Sequence, residues 1–187
     1  ELQYRDLFQN ANDIIFTFDI NGKITSANLA GLNTFKYKKE ELGKLSLKDV
    51  VDPTFHTLAM NKVKDLLRRG KSTQTHEILA RTKDWEPVWI EVRTRIIREY
   101  GQPLSIQGIG RDITERKLAE NALKNSKKRL SQIIQGNSSP TFVIDNEHTV
   151  THWNKALENL TGIPASQIVG TKNHLQPFYT YERLLLV

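Results

Sequence analysis

The histidines are the residues of this sequence best suited to chemistry, and their neighbours decide what they can do. His148 and His152 stand four residues apart, a spacing that could bring two imidazoles to one metal ion if both lay on a helix. The residues between them, 149–151, read Thr-Val-Thr, a β-branched series that favours a strand and puts the two rings on one face only loosely. We therefore predict no metal site.

A phosphoacceptor histidine needs a helix to present it, and His76, followed by Glu77, is the candidate for that role. It lies after Gly70, which ends a predicted helix, and before a predicted hairpin, so its context is that of a strand. The sequence also shows no nucleophile paired with a base. We predict no catalytic residues and no enzyme activity for this fragment.

Composition excludes several other classes of protein. With 187 residues and 38% hydrophobic content, the chain can form one large or two small cores. No apolar run approaches the roughly 20 residues that cross a bilayer, so we expect no membrane span. The absence of cysteine excludes disulfides and thiolate chemistry and is compatible with a reducing compartment, so we expect a cytoplasmic location.

The net charge of +6 is concentrated in one segment. Residues 111–135 contain seven Lys and Arg against three Asp and Glu, so 7 − 3 gives +4 of the +6. A basic face on an exposed connecting helix is normally only solvated. We predict no nucleic-acid binding.

Hydrophobic periodicity predicts two strands, then a run of helices, then three further strands. Asn21-Gly22 between two strand-like segments is a hairpin signal. The predicted strands are 14–19, 23–28, 75–81, 87–97 and 104–111, and the predicted helices are 29–41, 46–51 and 54–69. This order predicts an α+β fold, a five-stranded antiparallel sheet with helices on one face.

Residues 110–116 join the last strand to a long charged helix, predicted over 114–135. Asp112 followed by Glu115 has the capping-box pattern of a helix start. Asp112 also stands four residues before Arg116, an order that favours an ion pair between them. Because strand and helix are continuous, strain in the sheet could be transmitted to the helix.

Several of these segments resemble one family. Residues 112–116 (Asp-Ile-Thr-Glu-Arg) resemble the DIT-x-R ending of PAS domains, and residues 39–43 (Lys-Glu-Glu-Leu-Gly) resemble their EEL-G helix. The resemblance covers residues 5–116 and implies the PAS fold, a sensory module that precedes signalling helices in histidine kinases, cyclic-dinucleotide enzymes and related proteins. One departure is Trp85, which stands where the family's strand turn has glycine, so we expect a turn of another type there.

The start of this pattern occurs a second time. Asp145 and Asn154 follow Asp19 and Asn28 at a constant offset of 126 (145 − 19 and 154 − 28). The repeat also resembles a PAS start. The predicted segments are a PAS domain at 1–116, a linker or coiled-coil helix at 114–135 and the incomplete N-terminal part of a second PAS domain at 136–187.

The resemblance also implies a small-molecule pocket between the inner sheet face and the helices. Its candidate walls are Phe16, Phe18, Phe35, Met60, Ile90 and Val92. The alternative is that these side chains merely fill a dry core. The identity of a ligand stays unknown.

Two cofactors known in the family can be weighed against the residues present. Some PAS domains hold haem through a histidine on the long helix, and His56 lies near the start of that helix. A surface or helix-capping histidine is the alternative, and we do not predict haem. A cysteine–flavin adduct is excluded because the chain has no cysteine, whereas non-covalent flavin stays open.

The resemblance implies a non-catalytic sensory and dimerisation module of a multidomain signal-transduction protein, a histidine kinase of a two-component system. Changes in the core would reach the helix through three joint residues, Asp112, Thr114 and Arg116. Two helices of a homodimer would pair through a seam of Leu123, Leu130 and Ile133. An output domain would follow on the same chain. The alternatives are a PAS module of a cyclic-dinucleotide enzyme or transcriptional regulator, and a ligand-free interaction scaffold.

Overall fold

The computed structural model describes residues 2–70, 75–175 and 178, so the part of the predicted segment 136–187 at 176–177 and 179–187 lies outside the described residues. The chain divides into two compact units, Glu1–Leu118 and Ala119–Val187. No helix among the described residues is long and apolar enough to cross a bilayer.

The first unit contains five strands and most of the helices. Its elements are α1 Leu2–Gln9, β1 Ile14–Phe18, β2 Ile24–Ala27, α2 Leu29–Phe35, a 3₁₀ helix Lys39–Lys44, α3 Leu47–Val50, a second 3₁₀ helix Pro53–Phe55, α4 His56–Arg69, β3 His76–Arg81, β4 Pro87–Glu99 and β5 Gln102–Asp112. Helix α5, Thr114–Gly136, begins in the first unit and ends in the second. The second unit continues with β6 Phe142–Ile144, β7 Val150–Trp153, α6 Lys155–Thr161 and α7 Ala165–Ile168.

The five strands form one antiparallel sheet in the order β2-β1-β5-β4-β3. Side chains that alternate along the strands build two core clusters on the face that the helices cover. Phe35 of α2 packs against one cluster, which includes Ile14, and Leu66 of α4 belongs to the other, with Phe18 and Ile106. The predicted α+β fold with helices on one sheet face is therefore confirmed.

Helix α2 is shorter than the predicted helix 29–41. It ends at Phe35 because Lys36 adopts the left-handed conformation, with φ 60°, and its amide turns back to the carbonyls of Asn33 and Leu32. The Lys36 ammonium pairs with Asp84 at 3.1 Å and with Glu86. Left-handed helix ends favour glycine, so a lysine there gave no signal in the sequence.

The turn between β3 and β4 keeps the form that normally holds glycine, so the prediction of another turn type is wrong. The Trp85 amide donates to the Thr82 carbonyl and the Thr82 amide donates to the Glu86 carbonyl, both at 2.9 Å. This is a three-residue hairpin loop whose last residue is left-handed, and Trp85 takes φ 64° there. Trp85 is 69% exposed, so its side chain is not packed against the core.

Both units begin with the same hydrogen-bonded frame around a fully buried asparagine. The side-chain oxygen Oδ1 of Asn28 accepts from the main-chain amides of residues 15 and 31, and its side-chain amide donates to the carbonyls of residues 11 and 13. Asn154 makes the same four bonds with residues 141, 157, 137 and 139, each 126 positions later. The repeat predicted from spacing is thus also a repeat of buried hydrogen bonds.

Candidate functional site

An apolar cavity lies inside the first unit, between the inner face of the sheet and the helices. About 70 Å³ of it is open to the centres of water-sized molecules. Its lining comes from β1 to β4, α2, α3 and the loops around them: Ile14, Phe16, Ile24, Ala27, Gly31, Leu32, Phe35, Tyr37, Leu42, Leu45, Leu47, Val50, Val51, Ile78, Ala80, Ile90 and Val92.

Four of the six residues proposed as pocket walls line this cavity: Phe16, Phe35, Ile90 and Val92. The other two do not. Phe18 is 1% exposed and packs in the neighbouring core cluster, and Met60 lies half-buried on α4. Strand parity places Phe18 on the correct face, but it does not tell which of two clusters on that face a side chain joins.

The atoms that face the cavity are almost all carbon. Tyr37 carries the one hydroxyl among the lining side chains, and burial raises the pKa of that hydroxyl above its ordinary value. His56, at the start of α4, is not among the lining residues, and its Nε2 lies 2.8 Å from the Val51 carbonyl oxygen. The lining of this cavity therefore contains no histidine and no charged side chain.

Two glycines of β5 allow cavity-lining side chains to lie directly on the strand. A Cβ at Gly108 would stand 2.3 Å from an atom of the Phe16 ring, and one at Gly110 would stand 2.8 Å from a methyl of Ile90. Real Cβ atoms do not approach so closely, so both positions must lack a side chain. Phe16 and Ile90 thus connect the cavity wall with the backbone of β5, just before the joint.

The joint between β5 and α5 is fixed to β4 by two main-chain groups of Trp89. The Ile113 amide donates to the Trp89 carbonyl, and the Trp89 amide donates to the Thr114 hydroxyl oxygen, both at 2.9 Å. The Asp112 carboxylate accepts from the Thr114 amide at 2.8 Å, which satisfies a free donor of the first helical turn. The joint is therefore not a loose tether, because sheet and helix share hydrogen bonds.

The predicted ion pair between Asp112 and Arg116 is wrong. Arg116 instead reaches back to the sheet and pairs with Glu77 of β3 at 2.7 Å and with Glu91 of β4 at 3.3 Å. Asp112 accepts from the Thr114 amide. The partners of Arg116 are distant in sequence, so the four-residue spacing did not predict them. Such partners cannot be found without knowing the strand register.

Lys117 adds a second basic contact between α5 and the sheet. Its ammonium pairs with Glu77 and lies 5.4 Å from the centroid of the Trp89 ring, a cation–π distance. The hydrogen bond from Lys117, with help from Arg116, lowers the pKa of Glu77. Exposed ion pairs contribute little one by one, but these side chains all fix the first turn of α5 to the sheet.

An ion pair that the sequence did not reveal lies beside the cavity. The Asp52 carboxylate is almost fully buried, accepts from the amide and hydroxyl of Thr54, and pairs with Arg81 Nε at 2.5 Å. The Thr54 donors, and next the Arg81 guanidinium, lower the pKa of Asp52 to about 2. The Asp-Pro-Thr order at 52–54 signals the helix cap but not Arg81, which comes from β3.

The three residues proposed as a dimer seam are exposed on α5. Leu123, Leu130 and Ile133 are 59%, 52% and 63% exposed, and their 7- and 3-residue spacing keeps them on one helix face. The helix buries one residue among those described, Ile134. Large apolar side chains that are exposed in a row are available for contact with a partner.

His148 and His152, the two histidines four residues apart, have different neighbours. His152 contacts Thr151 through Nδ1, while the His148 ring stacks on His174 with 6.5 Å between centroids. In the part of the chain that the structure describes, no three His, Cys, Asp or Glu side chains are grouped so that they could hold a metal ion.

Comparisons with known proteins give both units the same fold. Family models described as the PAS fold match residues 8–118 and 128–178. A solved PAS domain from a Colwellia psychrerythraea protein superposes with a TM-score of 0.56 at 26% identity, over 61% of this chain and 97% of that one.

Two curated relatives carry kinase names. Sporulation kinase E of Bacillus subtilis is 26% identical over 172 residues, which is 92% of this chain and 23% of the kinase. Sensor histidine kinase TmoS of Ectopseudomonas mendocina is 22% identical over 173 residues, which is 92% of this chain and 17% of that protein. The chain spans less than a quarter of the length of these relatives. With its sheet order, its repeated start and family matches over both units, the chain belongs to the PAS family of sensory, non-catalytic modules.

Proposed function

We propose that this chain is the sensory and dimerisation part of a multidomain signal-transduction protein, a cytoplasmic sensor histidine kinase of a two-component system. The cavity of the first unit is the sensing site. A change there moves the joint at Asp112, Thr114 and Arg116, and α5 carries that change to an output domain on the same chain. The kinase names of two relatives support the choice of output.

The observation that carries this proposal is that β4 serves both the cavity and the joint. Ile90 and Val92 line the cavity, and Trp89, the residue before Ile90, makes both main-chain bonds to Ile113 and Thr114. A displacement of Ile90 or Val92 in the cavity wall therefore moves β4 and acts directly on the first turn of α5. Two arrangements of this joint, differently stabilised by an occupied cavity, are what a relay requires.

In the proposed homodimer the α5 helices of two copies pair through Leu123, Leu130 and Ile133. A small rotation of each helix then becomes a change of register at its far end. A cyclic-dinucleotide enzyme or a transcriptional regulator as output domain would use the same relay, and the domain that follows distinguishes them.

A second candidate function, a scaffold that binds no ligand, is favoured by the small size of the cavity. Such a scaffold would dimerise in the same way, but its output would not depend on the state of the joint.

The relay is tested in the full-length protein with two substitutions at one position. Thr114→Val removes the hydroxyl that accepts from the Trp89 amide but keeps the shape of the side chain, and Thr114→Ser keeps the hydroxyl. We expect autophosphorylation of Thr114→Val to be independent of the stimulus and that of Thr114→Ser to respond normally. Both variants should be folded. Equal responses to the stimulus in both variants would contradict the relay.

A further inference from the structure

We propose that the cavity of the first unit selects small, uncharged, apolar molecules, with a single aromatic ring or a compact hydrocarbon as the upper size. This inference rests on the proposed function of the cavity as the sensing site, and it names the chemical class that the site takes.

The chemistry of the lining excludes charged ligands. An ionised carboxylate or phosphate that enters the cavity loses its hydration and meets carbon on nearly every side. Two ionised groups next to lining residues already have partners, since Asp52 pairs with Arg81 and Glu41 with Lys83. An apolar molecule loses no hydrogen bonds on transfer and gains contacts with the whole wall.

The size of the cavity sets the upper limit. An engineered cavity of about 150 Å³ binds benzene. The cavity of the first unit, at about 70 Å³, is smaller than that, so a single ring is the upper size of its occupant. Water itself is a poor occupant, because it needs two to four polar partners and the wall offers one hydroxyl.

The second unit shows that the space depends on small residues at particular positions. Ala27 and Gly31 line the cavity, and the residues 126 positions later are Trp153 and Leu157, both buried in the core of the second unit. The same hairpin and cap positions thus hold small side chains in one unit and large ones in the other. Filling Ala27 is therefore the direct way to close the cavity.

The test is a titration of the 187-residue chain, carrying labelled Ile, Leu and Val methyl groups, with toluene and separately with benzoate. We expect toluene to shift the methyl signals of Ile78, Ile90 and Val92, with Ile168 of the second unit as the unchanged internal control. Benzoate, of similar shape but charged, should bind on the order of 100-fold more weakly. Comparable binding of both, or no methyl shift with toluene, would overturn the inference.

Two variants make the result specific to the cavity. Ala27→Leu should lower toluene affinity at least about 10-fold, and Ala80→Val is the second filling variant if the first fails to fold. Unchanged toluene affinity in a folded filling variant also overturns the inference. If toluene binds but Thr114→Val does not affect signalling, the relay is wrong and the ligand class stands. If toluene does not bind but Thr114→Val affects signalling, only the ligand class is wrong.

Discussion

Ala27 in the first unit and Trp153 in the second occupy the same position, the last residue of the second strand of the opening hairpin. Ala27 pairs with Phe16 and faces the cavity, whereas Trp153 pairs with Phe142 and is fully buried, its indole donating to the Ile163 carbonyl at 3.1 Å. The frame around the two residues is the same, down to the four bonds of the following asparagine. The frame therefore defines the fold, and the residues it holds decide whether a cavity exists.

The largest expected effect comes from emptying the filled position. Trp153→Ala removes a fully buried indole, so we expect the second unit to lose about 3–5 kcal/mol of stability. Hydrogen exchange in denaturant measures this, because it reports the two units separately. A loss below about 1 kcal/mol would mean that Trp153 is not the core of that unit. His152→Ala, at a less buried neighbour on β7, is the control.

The shared frame can be broken in either unit. Asn28→Ala and Asn154→Ala each remove four side-chain hydrogen bonds to main-chain groups, and we expect a loss of about 2–4 kcal/mol in the unit that carries the change. Exposed Asn33 and Asn159, also 126 positions apart, give matched control variants with alanine. Equal losses from the buried and exposed substitutions would remove the frame from the account.

The contact between the cavity wall and β5 gives a smaller effect. Gly108→Ala places a methyl against the Phe16 ring, so we expect the first unit to lose about 1–3 kcal/mol and Phe16→Leu to restore part of that loss in the double mutant. Gly43→Ala, with nothing within 4 Å of the added carbon, is the control, expected to change stability by less than about 0.5 kcal/mol. A Gly108→Ala protein as stable as wild type would show that Phe16 does not rest on β5.

The smallest expected effect on stability occurs only at acidic pH. Because the pKa of folded Asp52 is lowered from 3.8 to about 2, its contribution to stability is complete above pH 3.8 and is lost as the pH falls towards about 2. We expect the unfolding free energy of the first unit to fall less steeply over that interval in Asp52→Asn. Acid titration of the two proteins, followed by circular dichroism, measures the difference, and parallel curves would contradict the lowered pKa.

Much of the fold could be predicted from the sequence because its signals are local. Period-two runs gave the strands, Asn21-Gly22 gave the first hairpin, and the Asp145 and Asn154 spacing gave the repeat. Strand parity also placed three of the cavity walls, Phe16, Ile90 and Val92, on the inner face of the sheet. The ion pair of Arg116 could not be predicted because its partners on β3 and β4 depend on strand register, and only the pairing of Phe16 with Gly108 shows why that glycine is needed. The left-handed Lys36 and Trp85 were missed because that conformation normally favours glycine.

The most direct test of the relay measures α5 itself. The chain has no cysteine, so Asn121→Cys gives a single spin-label site on α5, and electron–electron resonance reports the distance between the labels of two copies. We expect a label pair whose distance changes when toluene is added, in wild type and in Thr114→Ser but not in Thr114→Val. The absence of any pair, or the same change in all three proteins, would contradict the relay.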